Sequence, residues 1–344
     1  MTPHCYPAHF CTFSVCCCVF LRSLLLTSKS LPPQGFFRTG SFAELRDGEK
    51  GFEVKNAFLK FTTSENVTLK GTGLFVVNGA VANEITINGN GKEQCVAVNS
   101  TNAEIAISYS VGDVDCKSLS KKIEAQKIYN LGELKAPKAF IRGSFNSWST
   151  TDNQIVMFEE NGWYVAKNVN FAANTYFKFV DKDTNTWIGG YTDFAVNKNM
   201  YFGTSDIKVP SAGKYDIYFA PLKGLYYAVS AGSAAPSVPT GQYIYLHANV
   251  WTDSNANIFC YMWNNSGNAW AKATATHDKV YIYEIPSNYS SFKFVRKNST
   301  DSSFSWNNVW NESANLTKPT TVKIMYFVWD NWTVNASQWD VVNK

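Results

Sequence analysis

The chain reads as a succession of short alternating runs. In Ala103–Ser110, Thr175–Val180, Lys214–Phe219, Gln242–His247, Lys279–Ile285 and Thr321–Val328, apolar and polar residues exchange at every second position, with Asn, Gly, Ser and Thr between the runs. Successive side chains of a strand point to opposite faces, so each run specifies a half-buried β-strand. Long stretches of helical periodicity are absent. Many short strands bury their apolar faces by packing sheet on sheet, which separates this chain from alternating βαβ enzyme folds. The sequence therefore predicts an all-β chain of three tandem β-sandwich domains. Composition narrows the alternatives. Charged residues make up 17%, below the roughly 25% of ordinary soluble domains. Aromatics reach 15%, whereas disordered chains are charged and poor in aromatics. A net charge of +4 over 344 residues is too small for a nucleic-acid footprint. No apolar run is long enough for a membrane-spanning helix.

Two composition shifts divide the chain. Ser230–Gly241 (SAGSAAPSVPTG) has the Ala, Ser, Pro and Gly content of a linker, and Leu134–Lys138 (LKAPK) is a softer boundary. The resulting units are about 36–134, 137–230 and 241–344. Residues 1–35 stand apart. They hold five of the eight cysteines, and Phe10–Leu21 is apolar and about as long as a signal-peptide core. No Lys or Arg precedes Arg22, and no small-x-small cleavage site follows. Two readings stay open, a poor export signal and a mispredicted start; in both the segment lies outside the folded core. Cys95, Cys116 and Cys260 are too few and odd in number for a disulfide framework, and are expected as buried thiols.

Motifs for catalysis are missing. The chain has no GxSxG, HExxH, P-loop or CxxC, and beyond the leader its only histidines are His247 and His277. The sequence predicts no enzyme, no catalytic residue and no cofactor. Asp181, Asp183 and Asn185 start like a calcium loop, but Thr186 stands where that loop needs Gly and Thr192 where it needs Glu. No metal site is therefore predicted. Asn88–Gly91 (NGNG) is expected as a hairpin turn. The tryptophans are unevenly spread: none precedes Trp148, and eight of the eleven fall between Trp251 and Trp339. That surplus calls for a surface use or a very aromatic core.

In the middle unit, Ala139–Ser149 (AFIRGSFNSWS) is a strand running into a turn that carries Trp148. In Thr175–Val180, Phe177 and Phe179 face the core while Tyr176, Lys178 and Val180 face away. Trp163 is expected in the core. FIRGSFNSWS followed by FKFVDKDTNTW resembles the glycogen- and starch-binding immunoglobulin-like modules of pullulanase-type enzymes and of the outer-membrane starch-binding lipoproteins of Bacteroides. The resemblance implies that Trp148 and Trp187 stack on glucose and that Lys178 donates to sugar hydroxyls. It also implies a contributing asparagine, Asn199 as the best match or Asn197. A different reading makes Trp148 a packed core residue.

In the C-terminal unit, Asn257–Trp270 (NIFCYMWNNSGNAW) puts Phe259, Tyr261 and Trp263 on one strand face and delivers Trp270 from a polar loop. Ser291–Asn311 then places Trp306, Asn307, Asn308 and Trp310 in an Asn-rich loop. Flat rings cover the apolar face of a pyranose while amides pair with its hydroxyls. This domain resembles the starch-binding modules of the family 26 type that hang on bacterial amylases. The resemblance implies a stacking platform of Tyr261, Trp263 and Trp270, with Trp306 as platform or loop anchor and Asn307 or Asn308 as hydrogen-bonding partners. Packing of Trp263 and Trp306 between sheets is the competing reading. Trp329, Trp332 and Trp339 are expected to close the final strands.

The first unit, through Phe52–Gly71 and the ending IEAQKIYNLG, resembles fimbrillin-type surface domains of Bacteroidales, possessing no catalysis. Taken together, the leading expectation is a non-catalytic protein that captures starch-like α-glucan by aromatic stacking at an extracellular or outer-membrane surface, beside other outer-membrane glycan-uptake proteins. A structural adhesin or pilus-type subunit and the tail of an amylase are the alternatives.

Overall fold

The computed structural model describes residues 56–191, 194–320, 325–328 and 334–337. The leader 1–35, Trp329, Trp332 and Trp339 lie outside the described residues. The architecture is all-β and sandwich-like, and the chain divides into two compact units at Ala136/Pro137.

The first unit contains β1 (Asn56–Thr62), β2 (Val67–Val77), β3 (Ala80–Ile87), β4 (Glu93–Asn99), β5 (Ile105–Val111), β6 (Val114–Lys121) and β7 (Ile128–Glu133). They join in the order β6-β5-β2-β4-β1-β7, with β3 paired to β2. Leu59, Phe61, Leu69, Phe75 and Val98 form its buried apolar set. The expectation for Asn88–Gly91 is corrected here. The segment connects β3 to β4, which pair with β2 and β1 and not with each other. The amides of Asn90 and Gly91 both donate to the Thr63 carbonyl (3.0 and 2.8 Å), tying the turn to the β1–β2 connection. Two-residue hairpin turns occur instead at Asn78–Gly79 and Gly112–Asp113; at the first, both residues take left-handed angles (φ 51° and 79°), one of the two turn geometries that match right-twisted strands.

The second unit begins with β8 (Ala139–Gly143), β9 (Ile155–Glu160), β10 (Trp163–Phe171), β11 (Thr175–Asp181), β12 (Trp187–Gly190), β13 (Met200–Gly203), β14 (Ile207–Val209), β15 (Gly213–Ala220) and β16 (Leu225–Ser230). Their order is β12-β13-β16-β15-β10-β9-β8-β11-β14, and a β11–β12 pairing closes the sheet on itself. Phe177, Phe179, Phe202 and Phe219 fill the interior, with Phe179 stacked on Phe219 at 4.4 Å. Trp163 is buried, as its strand position predicts.

Then follow β17 (Gln242–His247), β18 (Asn257–Asn264), β19 (Gly267–Ala271), β20 (Ala275–His277), β21 (Val280–Ile285), β22 (Ser291–Lys297), β23 (Val309–Glu312), β24 (Leu316–Thr317), β25 (Met325–Val328) and β26 (Val334–Ser337). One sheet runs β20-β21-β17-β25-β26, the other β19-β18-β22-β23 with β24 beside β22. Ile244, Leu246, Tyr283 and Ile285 of the first pack on Ile258, Cys260, Met262, Phe292 and Phe294 of the second.

The opposite face of the β17–β21 sheet is also buried. Tyr243, Tyr245, Val280 and Ile282 belong to the same apolar core as Phe202 and Tyr226 of the preceding strands. Gln242–His247, expected as a half-buried strand, is therefore buried on both faces, and its central run YIYL is continuously apolar for that reason. The Tyr245 hydroxyl, fully buried, donates to the Gly224 carbonyl (2.5 Å) and accepts from the Phe202 amide (2.8 Å). The expected linker Ser230–Gly241 is held down along its length. Trp163 Nε1 donates to Pro236 O (3.2 Å), Lys223 Nζ donates to Thr240 O (3.2 Å), and Val238 packs on the core beside Gly162. Cys116 and Cys260 are buried, the Cys116 thiol donating to the Val114 carbonyl (3.3 Å), and Cys95 is half-buried.

Candidate functional site

Two aromatic clusters emerge on outward sheet faces, both within residues 137–344. The first is built on β8, β11 and β12. Phe179 pairs with Ile141 and Ile188 on the core side. Alternation then sends Phe140, Arg142, Lys178, Val180 and Trp187 to the outer face. Past β8 the chain makes a 3₁₀ turn, Ser144–Asn146. Gly143 is required at its start because a Cβ there would lie 2.1 Å from the Tyr176 carbonyl oxygen. Buried Asn146 staples the turn. Its Oδ1 accepts from the Gly143 amide (3.0 Å), and its Nδ2 donates to the carbonyls of Ser149 (3.1 Å) and Asp152 (3.0 Å). Ser147 and Trp148 both adopt left-handed angles, φ 53° and 60°. Such angles in two successive non-glycine residues cost roughly 1–3 kcal/mol each. The strained turn carries the Trp148 ring to 6.3 Å from that of Trp187, tilted by 41°. Both indoles are half-buried.

Arg142 is the residue of this cluster that sequence reasoning missed. It is 5% exposed, with its guanidinium 5.0 Å from the Phe140 ring and 5.3 Å from the Trp187 ring. Burial works against its charge and lowers its pKa. The two ring faces offset this in part, and Nε and Nη2 donate to Gln154 Oε1 (2.9 Å) and to the Thr150 carbonyl (3.0 Å). Arg142 therefore ties the Trp148 turn to the face under Trp187. Only the β8–β11–β12 register reveals this. Lys178 sits opposite Arg142 and lies 3.4 Å from Asp206 Oδ1. It shares the face of the two indoles. Asn199 is not gathered with them. It is exposed ahead of β13, and the pairs Gly189↔Gly203 and Gly190↔Phe202 put it at the far end of that hairpin from Trp187. Asn197 is likewise exposed, its amide donating to the Ala228 carbonyl. Asp181, first of the calcium-like triplet, accepts from the amide and hydroxyl of Thr184 (2.9 and 2.8 Å) and so caps its own turn.

The second cluster is larger. On β18, Ile258, Cys260 and Met262 face the core while Phe259, Tyr261 and Trp263 face out. Cross-strand pairing aligns Tyr261 with Trp270 and Lys293, and Trp263 with Asn268. Tyr261 is the hub. Its ring lies 5.6 Å from Trp263, 5.0 Å from Trp270 and 4.9 Å from Trp306, and Trp270 and Trp306 meet at 4.9 Å. Trp263 and Trp270 are half-buried, whereas Trp306 is 46% exposed. Lys293 pairs with Glu312 (3.1 Å) and reaches over the Trp306 ring. Beside these rings is an open groove of about 530 Å³, lined by Tyr261, Trp263, Asn268, Lys293, Trp306 and Asn315 among others.

The loop that carries Trp306 is anchored from beneath. Lys297 is fully buried, and its ammonium donates to the carbonyls of Ser303 (2.9 Å) and Ser305 (3.0 Å) and pairs with Asp301 (3.0 Å). Asp301 also accepts from the amide of Ser303 and from Asn308 Nδ2 (2.8 and 3.0 Å). The Ser303 hydroxyl and amide, then Lys297 and Asn308, hold its carboxyl well below the ordinary range. Asn308, at φ 56°, thus spends its amide on the loop, while Asn307 next to it is exposed. Asn268 and Asn315 at the groove were not singled out from sequence as binding residues. The position of Asn268 follows once the hairpin register opposite Trp263 is known. Trp310, on β23, is 41% exposed with the Arg296 guanidinium 4.8 Å from its ring, apart from the groove lining.

Rings with free faces beside amides and one lysine can stack on an apolar surface and hydrogen-bond its hydroxyls. Among the described residues no three His, Cys, Asp or Glu side chains come together as a metal site. No helix among them is long and apolar enough to cross a membrane. The chain matches no protein-family model and no curated protein.

Proposed function

We propose that this chain is a non-catalytic glycan-binding protein that captures starch-like α-glucan by aromatic stacking at an extracellular or outer-membrane surface. The observation that carries the reading is the open groove on the C-terminal sheet, where Tyr261, Trp263 and Trp306 stand beside Asn268, Asn315 and Lys293. A pyranose has two chemically different aspects, apolar C–H faces and a hydroxyl rim. Rings and amides in one groove answer both. The paired indoles Trp148 and Trp187 with Lys178 offer the same chemistry on a smaller scale. Each surface covers little area, so affinity for a single oligosaccharide is expected near 1 mM to 10 μM, roughly. Two sites on one protein raise avidity for a polymer without new contacts. Other outer-membrane glycan-uptake proteins are the natural partners of such a binder.

Affinity electrophoresis in gels containing amylopectin tests this. Migration of the unsubstituted protein is expected to slow relative to a gel without polysaccharide. Trp263→Ala with Trp306→Ala should abolish most of the retardation, and Trp148→Ala should remove a smaller part. Equal mobility with and without amylopectin would return the chain to the structural-adhesin reading. For residues 56–136, where the Asn78–Gly79 hairpin exposes β3 with Val81 at 62%, a structural role of that kind is the proposal.

A further inference from the structure

The loop that presents Trp306 presents a second ring. Lys297 donates to the carbonyls of Ser303 and Ser305, the two residues that flank Phe304. Asp301 accepts from the Ser303 amide and ties in Asn308 from the other end of the loop. With its backbone pinned on both sides, Phe304 stands 53% exposed, more than Trp306 at 46%. Its ring is not isolated. Phe304 meets Phe259 edge-on at 5.9 Å, Phe259 meets Trp270 at 6.3 Å, and Trp270 meets both Tyr261 and Trp306. One unbroken aromatic strip therefore runs from Trp263 to Phe304. Its floor is the outer face of β18, where Phe259 to Trp263 span about 13 Å of strand.

Phe259 is 2% exposed, covered by the Phe304 ring and by Lys297, whose ammonium lies 5.7 Å from its centroid. An aliphatic side chain would cover Phe259 equally well. A flat, half-exposed ring fixed by a buried ammonium is what a stacking surface needs, because its geometry is set before any ligand arrives.

We propose that Phe304 is an additional sugar-stacking position, at the end of the strip opposite Trp263, which extends the C-terminal site to longer oligosaccharides. This rests on the reading of that site as a glucan site. Titration calorimetry with maltotriose and maltoheptaose tests it, on the full chain carrying Trp148→Ala and Trp187→Ala so that the C-terminal site alone is read. Phe304→Leu, which keeps apolar cover over Phe259, should weaken maltoheptaose about fivefold and leave maltotriose unchanged. Phe304→Tyr, which keeps the flat ring, should retain wild-type affinity for both. Trp306→Ala should weaken both sugars. If Phe304→Leu leaves maltoheptaose binding intact while Trp306→Ala lowers it, the inference is wrong. If Phe304→Leu weakens both sugars equally, the ring is a brace for the loop and the inference is also wrong. If the parent protein binds neither sugar, the glucan reading itself falls and takes this position with it.

Discussion

Trp148 reaches Trp187 from a turn in which two successive residues take left-handed angles, with Asn146 inside the turn and Arg142 beneath Trp187. In the C-terminal region Tyr261, Trp263 and Trp270 stand on regular strands, and only Trp306 rides on a loop. The first arrangement stands Trp187 on a strand and holds the half-buried Trp148 ring through local backbone strain balanced by one buried amide. The second uses ordinary strand geometry for three rings and a buried ammonium with four oxygen partners from Ser303 and Ser305 for the fourth. An exposed ring thus needs buried polar anchoring wherever the sheet does not supply its position. The two clusters should therefore fail in different ways when their anchors are removed.

The largest effect is expected for Lys297→Met. It leaves the carbonyls of Ser303 and Ser305 without their donor and Asp301 without its cation, with a loss of about 3 kcal/mol from the two orphaned carbonyls. Urea denaturation should show that loss, and glucan binding at the C-terminal groove should vanish while the Trp148 cluster keeps its own. Asn146→Ala is the counterpart in the middle region. Three hydrogen bonds disappear and the strained turn loses its staple, at about 2–3 kcal/mol. Binding should then be lost at Trp148 and Trp187 and kept at the C-terminal groove. Parallel loss at both sites in either variant would mean that the clusters are not separately anchored.

Tyr245→Phe probes what joins the regions. It removes the buried hydroxyl that donates to the Gly224 carbonyl and accepts from the Phe202 amide, at about 1–2 kcal/mol. Because both regions share one apolar core, calorimetry of residues 137–344 should show a single unfolding transition before and after the change. Two separate transitions would break the picture of a shared core.

Smaller effects come from pH and salt. The folded-state pKa of Asp301 lies below its unfolded value, so its charged form favours the fold. That contribution is complete above the ordinary aspartate pKa of about 4 and is lost as pH falls through the folded value. Groove binding, followed by tryptophan fluorescence, should stay level from neutral pH to about pH 4. Asp301→Asn should remove the acid limb set by this residue. Salt should matter least. A neutral glucan releases no counterions, so affinity should change by less than about twofold between low and moderate salt. A steep decline would point to an acidic polysaccharide bound at Lys178 and Lys293.

Alternation along one strand was enough to separate Phe177 and Phe179 from Lys178, and Cys260 and Met262 from Tyr261 and Trp263, because a side chain's face depends only on its own position in the strand. The buried Trp163 and the all-β architecture follow from the same local pattern. Other features depend on segments far apart in the chain. Arg142 meets Trp187 across two strand pairings, Lys297 grips a loop whose Ser and Asn content hides its order, and Tyr245 faces a core contributed by strands before Ser230. The same limit explains Asn199, which looks adjacent to Trp187 in a motif and lies at the other end of its hairpin. A residue's face is a local property, whereas its neighbours are set by sheet register and by which sheet packs against which, and those depend on the free energy of the assembled core as a whole.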